Sequence, residues 1–237
     1  MQPKMPEKTE LLYETLCSMN HPSKSSMFLV GGTAMSIQCT HRLSENLDFW
    51  VPHNDLFEIG LDWLISELRN KCDVKLITAH SDIVKAKING LNLFGSARDY
   101  AIDGVKVTFF NRSDFAHKQF EKYLPKGSVE GINIMPLDGI FAMKSYVITQ
   151  RIKSRDLFDL MHFLSHGKTI SELFQATLAA SPDTTIEEIS SILVGDVPLD
   201  KSDEGLSAVC KTGIGDIYDF FSNEVDNYQR SVAMGFK

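Results

Sequence analysis

Apolar and polar positions change period several times along the chain, and each change marks an element. Leu11, Leu12, Thr15, Leu16 and Met19 share one side of a helix expected over Glu7 to Met19. Ser26 to Val30 is a short apolar run that stops at Gly31-Gly32 and reads as a buried strand, with a short helix from Thr33 to Cys39 after it. Asn46 to Val51 reads as a second strand, ended by Pro52. Leu56, Ile59, Trp63, Leu64 and Leu68 fall at helical spacing and predict an amphipathic helix from Asn54 to Asn70, with Asn54 as its N-cap. Strands are expected at Asp73 to Ala79, Ile83 to Ile88, Leu91 to Phe94 and Gly131 to Met135. Asn89-Gly90 and Asp103-Gly104 are hairpin signals, the second joining Arg98–Ile102 to Val105–Phe110.

After Pro136 the pattern turns helical. Leu137 to Arg151, Arg155 to Ser165, Ile170 to Leu178, Ile186 to Leu193 and Ile214 to Glu224 all carry helical periodicity, with breaks at Ser154, Gly167, Pro182 and Pro198. The expectation is an α+β protein. A mixed sheet with flanking helices occupies residues 1–135, and a helical bundle follows over residues 136–237.

The 237 residues suffice for one large or two small domains with a real core. No apolar run approaches the ~20 residues of a membrane helix, and Met1 to Lys8 lacks a signal-peptide core. The reading is a cytoplasmic protein with no membrane partner. Cys17, Cys39, Cys72 and Cys210 are far apart and form no CxxC pair, so a zinc cluster or disulfide framework is not expected. The net charge of −7 is uneven: residues 170–237 carry 4 basic and 12 acidic groups, the remainder 20 and 19. The acidic tail would repel a nucleic-acid backbone, so any phosphate chemistry belongs to the first 170 residues.

Three stretches can carry such chemistry. Gly31-Gly32-Thr33, between a strand and a helix, is either a tight turn or a phosphate cradle in which helix N–H groups and the Thr33 hydroxyl face an anion. Asn46 and Asp48 lie two apart on a strand and project to one face. They either cap local backbone or hold Mg²⁺, which takes one or two protein oxygens plus substrate phosphates. Lys144, Arg151 and Arg155 fall within about 20° of one line if their helix is continuous, with Asp156 and Asp159 beside them. That stripe is a polyphosphate site or a salt-bridged face. His162 and His166 read as residues favouring a helix C-terminus.

The order of these pieces matters more than any one of them. Gly-Gly-Thr, His41-Arg42, Ser44, the Asp48 strand, a distant lysine and Arg-Asp-Leu-Phe-Asp together resemble the AbiEii/AbiGii family. These are nucleotidyltransferase-like proteins of the DNA polymerase β superfamily that include abortive-infection and type IV toxin–antitoxin toxins. The resemblance covers most of Met27 to Leu164. It implies that Gly31, Gly32 and Thr33 bind the triphosphate, with Arg151 and Arg155 as further nucleotide contacts. Asn46 and Asp48 would be metal positions for one or two Mg²⁺ ions, and Asp48, Lys144 and Asp156 the catalytic set. The nucleotide would lie in a cleft between the two parts. The acceptor would be an RNA or another hydroxyl, and a cognate antitoxin would be a partner. Two departures stand against this. Asn46 replaces the first metal carboxylate. The exposed side of Val105–Phe110 offers only Lys106, Thr108 and Phe110, where the superfamily has a third acid, so a second ion would be held poorly. The alternative is a catalytically silent relative that binds a nucleotide, RNA or protein.

Overall fold

The computed structural model describes residues 4–79, 81, 83, 84, 88, 92–125 and 132–235. They form two compact units, Met1–Pro136 and Leu137–Lys237. The first holds helices α1 (Glu7–Ser18), α2 (Gly31–Cys39), α3 (Leu61–Arg69), α4 (Leu93–Ser96) and α5 (Phe115–Phe120). Its strands are β1 (Phe28–Val30), β2 (Leu47–Trp50), β3 (Val74–Leu76), β4 (Ala97–Ile102), β5 (Val105–Phe110) and β6 (Asn133–Ile134). The second unit is built from α6 (Leu137–Val147), α7 (Ser154–Ser165), α8 (Ile170–Ala180), α9 (Ile186–Val194) and α10 (Ile214–Ala233). No helix among the described residues is long and apolar enough to cross a membrane.

The strands make one mixed sheet in the order β3-β4-β5-β2-β1-β6. β2 runs antiparallel to β1 and parallel to β5. Alternation sorts the residues into two faces. Leu47, Phe49, Val107, Phe109, Tyr100 and Ile102 are buried on one. Asp48, Thr108 and Asp99 share the other and are half-exposed. Phe49 and Phe109 are fully buried and stack with ring centroids 5.2 Å apart.

Turn chemistry explains where most elements stop. Asp103 (φ 49°) and Gly104 (φ 80°) both take the left-handed conformation that a two-residue hairpin demands, and β4 and β5 pair around them as expected. α8 and α9 each open on a capping box, Thr169 with Glu172 and Thr185 with Glu188. α9 ends at Gly195, in the left-handed conformation (φ 89°).

Several expectations are corrected. α3 starts at Leu61, not near Asn54, because the Asp55 carboxylate takes the N–H groups of Phe57 and Glu58 (both 2.8 Å) and closes a separate turn that Gly60 ends at φ 72°. Leu56 and Ile59 are buried from that turn, while Trp63 is 53% exposed and lies over His21. Ile83, Val84 and Ile88, expected in a strand, are helical; Val84 and Ile88 sit four apart, as a helix face requires. Leu93 and Phe94 are helical too, capped by the Asn92 side chain, which accepts from the Gly95 N–H at 3.1 Å. The Asn89-Gly90 hairpin lies outside the described residues. α6 stops at Val147, so Lys144 and Arg155 do not share a helix. α10 runs nine residues beyond the expected end, with Tyr228 edge-on to Phe174 (5.0 Å).

Phe109→Ala removes a ring held between Phe49 and Tyr100 and is expected to destabilise the first unit by about 3–5 kcal/mol. Both tryptophans, Trp50 and Trp63, belong to that unit. Urea unfolding followed by tryptophan fluorescence therefore reads it, and a midpoint equal to wild type would contradict this packing.

Candidate functional site

In the first unit the site grows from the β1–α2 turn. α2 begins at Gly31 itself, two residues earlier than expected, and its N-cap residue Val30 supplies no side-chain cap. The first-turn N–H groups of a helix have no intrahelical partner, and they gather the positive end of its dipole. Gly31 has φ 70°, which favours glycine. A Cβ there would also stand 3.2 Å from the Asp48 Oδ2. A Cβ on Gly32 would stand 2.5 Å from Arg42 Nη2 and 3.1 Å from the Ser44 hydroxyl. Both glycines thus sit where side chains close in on the backbone.

The loop between α2 and β2 is tied down from several sides. Thr40 turns the chain in the left-handed conformation (φ 54°). Ser36 donates to the Arg42 carbonyl (2.8 Å), and Arg42 Nη1 donates to the Leu43 carbonyl (3.0 Å). The Ser44 N–H reaches the Lys4 carbonyl (3.2 Å), and Thr9 donates to the Glu45 carbonyl (2.9 Å). Thr33 is 2% exposed; its hydroxyl bonds to the Asn46 carbonyl and to the Ser44 hydroxyl. That hydroxyl locks the helix start onto the loop. β2 proper begins at Leu47, so Asn46 stands one residue outside it.

Strand register places the remaining chemistry. Asp48 pairs with Val30 on one side and Thr108 on the other, and Thr108 pairs with Asp99 on β4. The residue directly across from Asp48 is therefore a hydroxyl. Asp99 lies on the same face two strands away, roughly 10 Å at the usual strand spacing. Its carboxylate is 3.5 Å from Lys106. The sequence signal for an acid on this face lies in β4 and not in β5, where Asp99 stands between buried Arg98 and Tyr100. One carboxylate with one amide oxygen fits a single Mg²⁺ completed by phosphate oxygens and water. Among the described residues, no three His, Cys, Asp or Glu side chains gather as a metal cluster.

The second unit brings Lys144, Arg151, Asp156 and Asp159 together. Lys144, from the last turn of α6, puts its ammonium 2.6 Å from Asp156 and 2.7 Å from Asp159. Those carboxylates lie three apart on α7 and share a face. The three side chains are 7%, 3% and 0% exposed. Arg151 donates from Nε to Asp156 at 3.0 Å and stays half-exposed. Burial pushes the Asp156 carboxyl up, but Lys144 and Arg151 outweigh it and hold the group below its ordinary range. The helix break makes this possible. Asp203 caps the new start by accepting from the Ser154 N–H and hydroxyl, both at 3.0 Å. Arg155 goes elsewhere, to Glu204 (3.1 Å) and the Gly205 carbonyl (3.2 Å). His166 places its Nδ1 2.8 Å from the His162 carbonyl in the last turn of α7.

A mixed sheet whose glycine turn presents a helix start beside a strand aspartate, followed by a separate helical unit, has the build of a nucleotidyltransferase-like protein. The chain belongs to the AbiEii family: residues 14–221 match Nucleotidyl transferase AbiEii toxin, Type IV TA system. A structure from H. pylori described as a "putative nucleotidyltransferase" shares the fold, with TM-score 0.51 and 20% identity over 97% of this chain and 98% of that one. The MenT4 nucleotidyltransferase toxin of Mycobacterium tuberculosis H37Rv aligns with TM-score 0.49 and 13% identity over 94% of this chain and 84% of its own. The uncharacterized protein aq_aa25 of Aquifex aeolicus (strain VF5) is 25% identical over 151 residues. That match spans 63% of this chain and 63% of the relative, less than two thirds of its length.

Lys144→Met leaves two buried carboxylates without their ammonium and is expected to destabilise by about 3–5 kcal/mol at pH 7. The sign with pH separates this from lost packing. In the wild type the depressed Asp156 stabilises above the ordinary carboxylate pKa of about 4 and loses that contribution as pH falls through its folded value. In the variant the buried carboxylates resist ionising, so protonation favours the fold. The gap between the two proteins should narrow from pH 7 to about pH 4.5. Urea unfolding read by helical ellipticity checks it, and a gap independent of pH would contradict this account.

Proposed function

We propose that the protein binds a nucleoside triphosphate with Mg²⁺ and transfers the nucleotide to a hydroxyl on an RNA or another acceptor, releasing pyrophosphate. The observation that carries this reading is the uncapped start of α2 with the Asp48 carboxylate set against Gly31. The N–H groups of Gly31, Gly32 and Thr33 bind phosphate oxygens. Asp48 is the principal metal ligand and the Asn46 amide oxygen the second. When bound, Mg²⁺ supplies positive charge on the phosphate oxygens and orients them for in-line displacement. The acceptor oxygen bonds to the α-phosphorus as the bond to pyrophosphate breaks, and its proton passes to solvent. The cations of the helical unit are paired within it, Lys144 with Asp156 and Asp159, Arg151 with Asp156 and Arg155 with Glu204. Asp156 holds Lys144 and Arg151 in place. The substrate puts this activity in the cytoplasm, and membership of a type IV toxin–antitoxin family supports a cognate antitoxin.

A second reading is supported by Asn46 and by Thr108 standing across from Asp48. Both remove a carboxylate from the metal positions, which suits a silent relative that binds nucleotide, RNA or a protein without reaction.

Thermal unfolding with each nucleoside triphosphate, with and without Mg²⁺, tests the first reading. A ligand at about 100 times its dissociation constant stabilises by roughly 2.7 kcal/mol. The expected outcome is a Mg²⁺-dependent rise that disappears in Asp48→Asn. No rise with any nucleotide would overturn the triphosphate site. A rise without transfer of α-phosphate label to total RNA would favour the silent reading.

A further inference from the structure

The sheet face that carries Asp48 is striped by charge. β4 and β5 pair Asp99 with Thr108 and Ala101 with Lys106, and β3 and β4 pair Lys75 with Ala101. Directly opposed residues on neighbouring strands share a face, so two adjacent rows cross the sheet. One holds Asp99, Thr108 and Asp48. The other holds Lys75, Ala101 and Lys106, and Lys106, one residue before the Leu47–Val107 pair, comes level with Asn46. Both lysine side chains reach water, at 70% exposed for Lys75 and 48% for Lys106. Ala101 between them is small and leaves a low floor. Lys106 is 3.5 Å from Asp99, and Lys75 is 2.6 Å from Asp73. Ion pairs this exposed are weak and exchange readily for another anion.

The geometry of displacement gives the lysine row a use. On the triphosphate reading above, pyrophosphate leaves on the side of α2, which follows β1, one strand neighbour of Asp48. In-line attack brings the acceptor oxygen to the α-phosphorus from the opposite side. That is the β5 side, where Thr108 and then Lys106 stand. Resting on that reading, we propose that the acceptor is the hydroxyl end of an RNA strand, and that Lys106, with Lys75 beyond it, holds the backbone phosphates of that strand on the open sheet face. An ammonium with three rotatable donors suits contacts that position a strand without reading its bases. A hydroxyl on a protein offers this row no phosphates. Asp99 works against the strand, because its carboxylate competes for Lys106.

Lys106 and Asp99 should therefore respond oppositely, which a general loss of structure would not produce. The probe is a labelled single-stranded RNA, titrated with the full chain and followed by fluorescence anisotropy at several salt concentrations. Wild type should bind. Lys106→Gln should weaken binding equally across sequences and lower the slope of log affinity against log salt by about 0.7, the loss of one phosphate contact. Lys106→Glu should weaken it by about tenfold or more, and Lys75→Gln by less than Lys106→Gln. Asp99→Asn should bind more tightly than wild type. No binding by wild type, equal binding by Lys106→Glu, weaker binding by Asp99→Asn, or α-phosphate label passing to protein with none on RNA would each overturn the proposal. The Mg²⁺-dependent thermal rise with nucleoside triphosphate should persist in the Lys106 variants, and its loss there would also overturn it by placing Lys106 in the triphosphate site. A rise absent from wild type with every nucleotide would instead overturn the triphosphate reading, and the RNA titration would still report on the lysine row alone.

Discussion

A carboxylate and a guanidinium close in on two consecutive glycines, and the first unit is arranged around that approach. Asp48 requires an antiparallel β1–β2 pair so that it meets the end of β1 at Val30. Arg42 requires a loop that leaves α2 through a left-handed Thr40 and is then held by Ser36, Lys4 and Thr9. Any side chain at Gly32 would meet the guanidinium, and one at Gly31 would add backbone strain to a tight contact with Asp48. The usual account of glycine in such a turn is room for a ligand. Here the room at Gly32 is already filled by the protein's own cation. The N-cap position of that helix is Val30, whose side chain makes no capping hydrogen bond.

The helical unit solves a different problem with a buried network. Two carboxylates on one turn of α7 repel each other, and burial strengthens the repulsion. An ammonium placed within 2.7 Å of both makes the pair tolerable, and Arg151 adds a second cation at Asp156. A continuous helix through residues 144–155 would have aligned Lys144, Arg151 and Arg155 without bringing the first two onto Asp156. Breaking the helix after Val147 and restarting it at Ser154 brings both to the same carboxylate and turns Arg155 away to Glu204. Ionisation of Asp156 and the position of Lys144 are thereby coupled, since each is set by the other.

What the sequence displayed plainly was punctuation. Gly31-Gly32 marked the β1–α2 turn, Asp103-Gly104 marked a hairpin whose two φ angles are positive, and Pro136 marked the change to helices. Signals based on period alone were weaker. Leu56 and Ile59 fit a helix running from Asn54, yet they are buried from a turn that Asp55 closes. Val84 and Ile88 fit a strand and a helix equally well, and the helix prevails. Non-local pairing was legible only in outline, through the resemblance that set Val105–Phe110, with Thr108 on its exposed side, beside the metal positions. That Thr108 faces Asp48, and that Asp99 follows in the same row, depends on β5 docking parallel to β2 across more than fifty residues of chain. Arg42 was visible as a letter in a motif, but its position against Gly32 comes from loop hydrogen bonds that have no sequence period.

The charge distribution around the turn bears on how such a site can work with fewer acids. Two-metal transfer needs anionic ligands to hold both ions close together. Asn46 is neutral, Thr108 is neutral, and Asp99 is two strands away with Lys106 beside it. Among the described residues, the half-exposed face of the sheet thus carries Asp48 beside the helix start and Asp99 two strands away. A site with that charge would bind a second cation weakly even with a triphosphate present. Arg42, packed against Gly32 at the same turn, is a second charged group whose place is set by the loop that Thr40 turns and Ser36 ties down, so the geometry of the turn depends on local packing and not on a ring of acids.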